Sequence, residues 1–469
     1  MSKATKGCLK HLIAFILLIA VMVFGSLLYN SIIKMQKPSS GVVGKLSQPK
    51  QKTLATLHWS VSPDYLDYLA NNFELIQEQP YNYELTTQQI NELHSKNPNS
   101  KILRYRSSVE IFDVSSNYQD PASWSQSFAG RQNTQAEWDD IWAAHQDWFL
   151  KNENGQYIHR KTGAEMDGKR AYLVDPANPG WQSWLTQKLQ QYIDYGYDGV
   201  WLDLAAPTYW SGWGSRAINP KTGKAYTNAE WREAIIGLVS KVKQGLGNKL
   251  VIINGLNIGK EYYNNMSPHP LEEASVDGFY FEGFVRWGNE PVGKFRSEAD
   301  WKKDVDLVAK VSSSSKLLIV NTAIYGKPYN PNASKEDIER VMNYAIASYL
   351  LGKNGSSSYV RFSPPSYYDT GVPSYWEKDL KLYHLQIGDP VSSYYYKGNL
   401  YQRDFTTGKV LVNPSDTNKS YTINLGGNYQ TPDGKTVNQI TLLPKTGAIL
   451  TKYHTNLLRV PKAANFFKP

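Results

Sequence analysis

The sequence predicts an α/β chain built on a (β/α)8 TIM barrel, with a small C-terminal antiparallel β-domain and an N-terminal transmembrane anchor. Three observations predict it. Eight short apolar runs alternate with amphipathic stretches, the pattern changes to closely spaced alternating strands after residue 387, and an uncharged span lies near the start. The expected divisions are a cytoplasmic head over 1–11, a signal anchor over 12–33, a stalk over 34–52, the barrel over 53–387 and the β-domain over 388–469.

Residues 12–33 form 22 consecutive positions without a charge, most of them Leu, Ile, Val, Phe and Ala. At about 1.5 Å per residue such a helix crosses a bilayer core. A cleaved secretory signal is the alternative, but its apolar region runs only about 7–15 residues and ends at a small-residue site that is missing here. The large body following a short head fits a single-pass protein of the cell membrane with its C-terminal part outside; after cleavage it would be secreted. Residues 39–52, rich in Ser, Gly, Lys, Pro and Gln, read as a solvated stalk.

Of the net charge of +9, eight units belong to this leading region, whose only charges are eight lysines. The remainder carries 43 basic against 42 acidic residues, which removes the electrostatic argument for nucleic-acid binding. The single cysteine, Cys8, precedes the apolar span, so the body has neither a disulfide nor a thiolate metal site. His-Glu-x-x-His and Gly-x-Ser-x-Gly are both missing, the eight histidines are scattered, and no cofactor or metal is expected.

The predicted barrel strands cover 54–60, 73–77, 101–108, 198–203, 250–256, 276–284, 317–323 and 357–363. Crossover helices are expected over 181–195, 228–245, 298–312 and 334–351, with Asn178 before Pro179, Asn228 and Ser334 as starts. The long connection after the third strand carries a predicted helix over 135–150, with Trp138, Trp142 and Trp148, and a hairpin through Tyr157 and Tyr172. It is either a wall of the barrel mouth or a packed subdomain with those tryptophans as core. Beyond 387, strands are expected over 399–405, 409–413, 420–425, 436–443 and 448–453.

Two of the barrel runs have one design. Tyr197-Asp198-Gly199-Val200-Trp201-Leu202-Asp203 and Val276-Asp277-Gly278-Phe279-Tyr280-Phe281-Glu282 each open on Asp-Gly and close on a carboxylate. A strand of this kind delivers an acid to the C-terminal mouth where barrel enzymes keep their chemistry. Two acids at one mouth can break a glycosidic bond, one protonating the leaving oxygen and the other attacking the anomeric carbon or activating water. Asp203 and Glu282 are therefore the candidate catalytic pair. Singly, each could equally cap a helix.

Strand alternation puts Trp201 on the inward face with Asp203, and Tyr280 with Glu282. Polar or aromatic groups at other strand ends are candidate substrate contacts: Trp59, Arg104, Arg106, Asn254, Asn321 and Arg361; any one could instead be a satisfied core polar group, and for the arginines a structural ion pair is an equal alternative. Asp175 is a rival acid, or the residue that turns the chain into the helix at Pro179.

Asp175-Pro176-Ala177-Asn178-Pro179 with Trp181, the strand ending at Asp203, Ile252-Ile253-Asn254-Gly255 and the strand ending at Glu282 together resemble bacterial glycoside hydrolase barrels. The likeness is to glycoside hydrolase family 114 and, more distantly, to the α-galactosidase clan, and it covers residues 53–365. It implies a nucleophile at Asp203, an acid/base at Glu282, retention of configuration and an amino-sugar-containing exopolysaccharide as substrate. The chain departs from the pattern at Leu204, Ala205 and Ala206, where a second polar residue is usual. The expected function is thus a membrane-anchored extracellular glycoside hydrolase acting on a polysaccharide; the alternative is a glycan-binding surface protein that kept the cleft without turnover.

Overall fold

The computed structural model describes residues 54–57, 63–78, 84–114, 132–161, 170–264, 270–326, 329–355, 357–363, 382 and 385–453. The expected anchor over 12–33, the stalk, His58 and Trp59 lie outside the described residues. Among the described residues no helix is long and apolar enough to cross a membrane.

Eight strands form one parallel sheet in sequential order: β1 (Leu54–Leu57), β2 (Leu75–Glu78), β3 (Lys101–Ser107), β4 (Gly199–Asp203), β5 (Leu250–Leu256), β6 (Gly278–Phe281), β7 (Leu317–Ala323) and β8 (Ser358–Ser363). The sheet curls until β8 lies beside β1. Helices α1 (Pro63–Asn72), α2 (Thr87–Lys96), α3 (Pro179–Asp194), α4 (Asn228–Leu246), α5 (Glu298–Ser312) and α6 (Lys335–Gly352) make the crossovers. All eight expected strands and all four expected crossover helices are present.

The repeated Asp-Gly has a structural cause. Asp198 accepts the Ile102 N–H at 2.9 Å, and Asp277 accepts the Val251 N–H at 2.8 Å, so each aspartate stitches its own strand to the start of the preceding one. The glycines then let the next strand come close. A Cβ on Gly199 would stand 2.2 Å from the Leu250 carbonyl oxygen, and one on Gly278 would stand 2.5 Å from that of Leu317.

Alternation divides the strand side chains between two cores. Leu75, Leu103, Tyr105, Trp201, Ile252, Tyr280, Ile319 and Tyr359 fill the interior of the curled sheet. Val200, Leu202, Phe279 and Phe281 pack outward among the helices. One pleat further along each strand, the interior positions are Ser107, Asp203, Asn254, Glu282, Asn321 and Arg361.

Most helix starts follow the expected caps. The Asn178 side chain accepts from Gly180 and Trp181 N–H groups, and Ser334 accepts from Asp337. α4 begins at Asn228 as expected, and its cap is the residue before. Thr227, not Asn228, is the N-cap, because only its hydroxyl forms a reciprocal capping box with Glu230.

The long connection after β3 folds as its own small layer. The strands Glu110–Phe112, Arg170–Leu173 and His159–Lys161 form an antiparallel sheet, and the expected helix over 135–150 ends at Ala144, followed by a 3-10 turn Gln146–Trp148. Trp138 stacks on Trp142 at 5.1 Å and packs against Phe149 and Tyr172. These tryptophans are core.

The C-terminal sheet is antiparallel and six-stranded: β9 (Tyr395–Lys397), β10 (Leu400–Phe405), β11 (Gly408–Asn413), β12 (Tyr421–Gln430), β13 (Thr436–Leu442) and β14 (Thr446–Lys452), in the order 9-10-11-14-12-13. It packs through β14 and β11 on α6. The buried Arg403 guanidinium donates to the Leu350, Leu351 and Lys353 carbonyl oxygens at the C-terminus of α6, and Asp416 accepts the Glu298 N–H at the start of α5. Both charges carry the sign that the helix dipole favours.

Candidate active site

Asp203 ends β4 and Glu282 follows β6 directly, so both carboxyls emerge at the C-terminal edge of the curled sheet. Three donors converge on Asp203: the Tyr105 hydroxyl at 2.6 Å, the Asn254 amide at 3.0 Å and the Leu204 N–H at 2.8 Å. That environment suits an acceptor-only carboxylate. Leu204 reaches the carboxylate from a left-handed backbone conformation with φ of 57°, uncommon for a branched side chain.

Asn254 joins the two acids. Its Nδ2 donates to Asp203 Oδ1 at 3.0 Å and to Glu282 Oε2 at 2.9 Å. One nitrogen within hydrogen-bond reach of both holds those oxygens less than about 6 Å apart. The register slips between Asn254 and Leu256, a bulge of the kind that re-aims a side chain beside a site.

Glu282 is pushed up to about 7, first by burial and then by the neighbouring Asp203 carboxylate, against the opposing pull of Asn254, the Arg361 charge and the Tyr325 hydroxyl. Arg361 also donates to the Tyr280 hydroxyl at 3.1 Å, and Asn321 donates to the Glu282 carbonyl oxygen at 3.4 Å. Beneath the acids, Trp201 stacks on Tyr105 at 5.1 Å and meets Tyr280 edge to face at 5.1 Å, a rigid aromatic floor.

Above the floor opens a cleft of about 630 Å3, lined by Asp203, Asn254 and Glu282 together with Trp210, Asn257, Glu261, Trp287 and Tyr325, among others. Glu261, which accepts a hydrogen bond from Asn257, is a third carboxyl on this wall and is raised by burial.

Of the expected contacts Asn254 lines the cleft; Trp201, Tyr280, Asn321 and Arg361 are buried behind the acids, and three more lie elsewhere in the fold. Arg104 and Arg106 occupy the alternate face of β3, between sheet and helices. Arg104 pairs with the buried Glu78, whose carboxylate also takes the Tyr197 hydroxyl, and Arg106 donates to Gln132 at 2.7 Å. For Arg104 the structural ion pair is thus the alternative that holds, and Tyr105, between the two arginines, is the β3 residue that turns inward. Asp175 is the turn residue, accepting the Ala177 N–H at 2.9 Å and the Tyr226 hydroxyl at 2.7 Å, and it does not line the cleft. Tyr105, Tyr325, Trp210, Asn257 and Glu261 were not anticipated. Alternation from Leu103 points to Tyr105; Tyr325, Trp210 and Asn257 sit on loops and Glu261 in the one-turn helix Gly259–Tyr263, too short for a periodicity to mark its facing.

The model of the hypothetical glycosyl hydrolase family 15 matches residues 94–409, about two thirds of the chain. This chain belongs to that family. The hydrolase is accordingly a glycan-cleaving enzyme. It matches no curated protein. Among solved structures it is similar to the glycoside hydrolase domain of PelA from Pseudomonas aeruginosa, at 14% identity over 68% of this chain and 96% of that one, with a TM-score of 0.38. It is similar also to the trehalose-6-phosphate hydrolase TreA of Bacillus licheniformis, at 10% identity over 86% and 99% with a TM-score of 0.48, and to Amy13B of Eubacterium rectale, at 11% over 87% and 97% with a TM-score of 0.46. Likeness this distant leaves substrate and chemistry to the residues of the hydrolase itself.

Proposed function

We propose that the hydrolase cleaves an amino-sugar-containing exopolysaccharide outside the cell, tethered to the membrane through residues 12–33, by a retaining double displacement with Asp203 as nucleophile and Glu282 as acid/base. On this reading the curled sheet is a (β/α)8 barrel and the cleft is its mouth. The observation that carries the mechanism is the single Asn254 amide bonded to both acids. Retaining enzymes hold their carboxyls about 5–5.5 Å apart, whereas inverting enzymes leave about 6.5–9.5 Å for a water molecule.

In the first half-reaction Glu282 gives its proton to the glycosidic oxygen as the Asp203 carboxylate attacks the anomeric carbon, so the leaving sugar departs neutral and a glycosyl ester remains. In the second, Glu282, now ionised, takes a proton from water as that water displaces Asp203, which restores both groups. A Glu282 carboxyl poised near 7 suits both donation and acceptance at neutral pH. The Asp203 carboxylate, with no lysine, arginine or histidine among the described residues that line the cleft, favours a polymer bearing free ammonium groups.

The test is release of reducing ends from bacterial and fungal exopolysaccharides by residues 53–469, beside Asp203→Asn and Glu282→Gln. Both variants are expected to lose about a thousandfold or more in kcat/KM, the loss of several kcal/mol of transition-state stabilisation. Activity surviving in either variant would remove that residue from the mechanism. Configuration at the new reducing end, followed by proton NMR, is expected to match the substrate.

A further inference from the structure

Trp210 is a large apolar side chain left 42% exposed, on the wall of the cleft that holds Asp203 and Glu282. Exposed indole surface is unfavourable in water. Its position is nevertheless braced. The ring meets Trp213 edge to face at 5.5 Å and 81°, and Trp213 is itself buried, donating its Nε1 to Glu110 at 3.0 Å and packing against Tyr209 and Trp231. The chain also makes room for the ring: a Cβ on Gly212 would stand 2.1 Å from Trp210 Cζ2.

A second feature of the same cleft points to a hydroxyl-bearing ligand. Asn254 is 6% exposed, and while its amide nitrogen is used by the two acids, its carbonyl oxygen is buried without a hydrogen-bond partner. Such an atom is costly unless something donates to it. A cleft of about 630 Å3 has room for more than the ring held between the acids.

Resting on the glycoside hydrolase reading, we propose that Trp210 is a stacking platform for a pyranose ring adjoining the one that is cleaved. The apolar C–H face of the sugar covers the indole, while its equatorial hydroxyls stay available to polar neighbours such as Thr208, Asn257 and Asn289. Bracing by Gly212 and Trp213 lowers the ordering cost of binding. The hydrolase then gains affinity from the second sugar, and single sugars bind without it.

The full chain carrying Glu282→Gln, which holds substrate without turning it over, is titrated by calorimetry with hexasaccharides of hexosamine and N-acetylhexosamine and with the corresponding monosaccharides. Adding Trp210→Ala is expected to weaken the best hexasaccharide at least tenfold, to leave monosaccharide affinity unchanged, and to be largely rescued by Trp210→Phe. Gly212→Ala, which displaces the ring without removing it, is expected to weaken the hexasaccharide in the same direction. Unchanged hexasaccharide affinity in Trp210→Ala overturns the platform while leaving the hydrolase reading intact. Equal weakening of hexasaccharide and monosaccharide overturns the adjoining position. If no saccharide binds and the parent chain also releases no reducing ends from exopolysaccharides, the substrate reading and the platform fall together.

Discussion

Glu282 is held near 7 by two separable causes, burial and the Asp203 charge, and each makes a prediction. In the unfolded chain its carboxyl returns to about 4.3. Between that value and about 7 the native protein keeps a proton that the unfolded chain has released, so stability falls as pH rises through this window and levels off above it. Glu282→Gln removes the effect. Relative to the parent it is expected to gain on the order of 1–3 kcal/mol more at pH 8 than at pH 4, read from urea unfolding at both values; the same difference at both would contradict the shift. In Asp203→Asn the Glu282 carboxyl, followed by carbon-13 NMR, is expected to titrate lower but still above 4.5, because burial is the larger cause. Tyr105→Phe deletes a donor to Asp203 while keeping the ring stacked on Trp201. Hydrogen bonds to charged groups contribute about 1.5–3 kcal/mol, so kcat/KM is expected to fall roughly ten- to a hundredfold while the melting temperature barely moves.

Among the elements, the strands present the site and the helix starts hold the strands in place. Thr227 caps α4, whose buried face includes Trp231, Ile235, Leu238 and Val242. Thr227→Ala removes the reciprocal bonds with Glu230 and is expected to cost about 1 kcal/mol, visible as a lower melting temperature with kcat unchanged. Asn228→Ala, one residue along, should cost much less. The helix starts at Asn228 as expected, but its cap is Thr227: asparagine and threonine both cap helices, and the reciprocal bond with the Glu230 side chain decides between them. The bulge between Asn254 and Leu256 was likewise not legible. Asn254-Gly255 interrupts the apolar run of β5, but the slip itself arises only when that strand pairs with β6.

For the molecule as a whole, the C-terminal sheet is wired into the helices that back the site. Arg403 takes three carbonyl oxygens and the Asn354 amide oxygen at the end of α6, while Lys445 bonds the Arg296 carbonyl and Asp416. Arg403 is pulled down to about 10 by burial yet remains charged at neutral pH. Arg403→Ala would leave those carbonyl oxygens without their donor, a loss on the order of 3 kcal/mol. We expect a single lowered melting transition by calorimetry, with loss of activity tracking unfolding; two separate transitions would show that the sheet and the site do not share a cooperative unit.

The sequence by itself determined the strand count, the crossover helices, the alternation of inward and outward side chains and the pairing of Asp203 with Glu282. These follow from local rules: a two-residue period in strands, a 3.6-residue period in helices, and a carboxylate where a buried strand meets its mouth. Tertiary structure alone decided which polar strand residues face the cleft. β3 is buried on both sides, so polarity cannot tell Arg104, paired with Glu78, and Arg106, bonded to Gln132, from Tyr105, which turns inward to Asp203. Tertiary structure also brought Tyr325 and Trp210 to the cleft from loops without periodicity and Glu261 from a one-turn helix, and set one Asn254 amide between two acids 79 positions apart in the chain. Each depends on distances between segments that meet only when the sheet has curled.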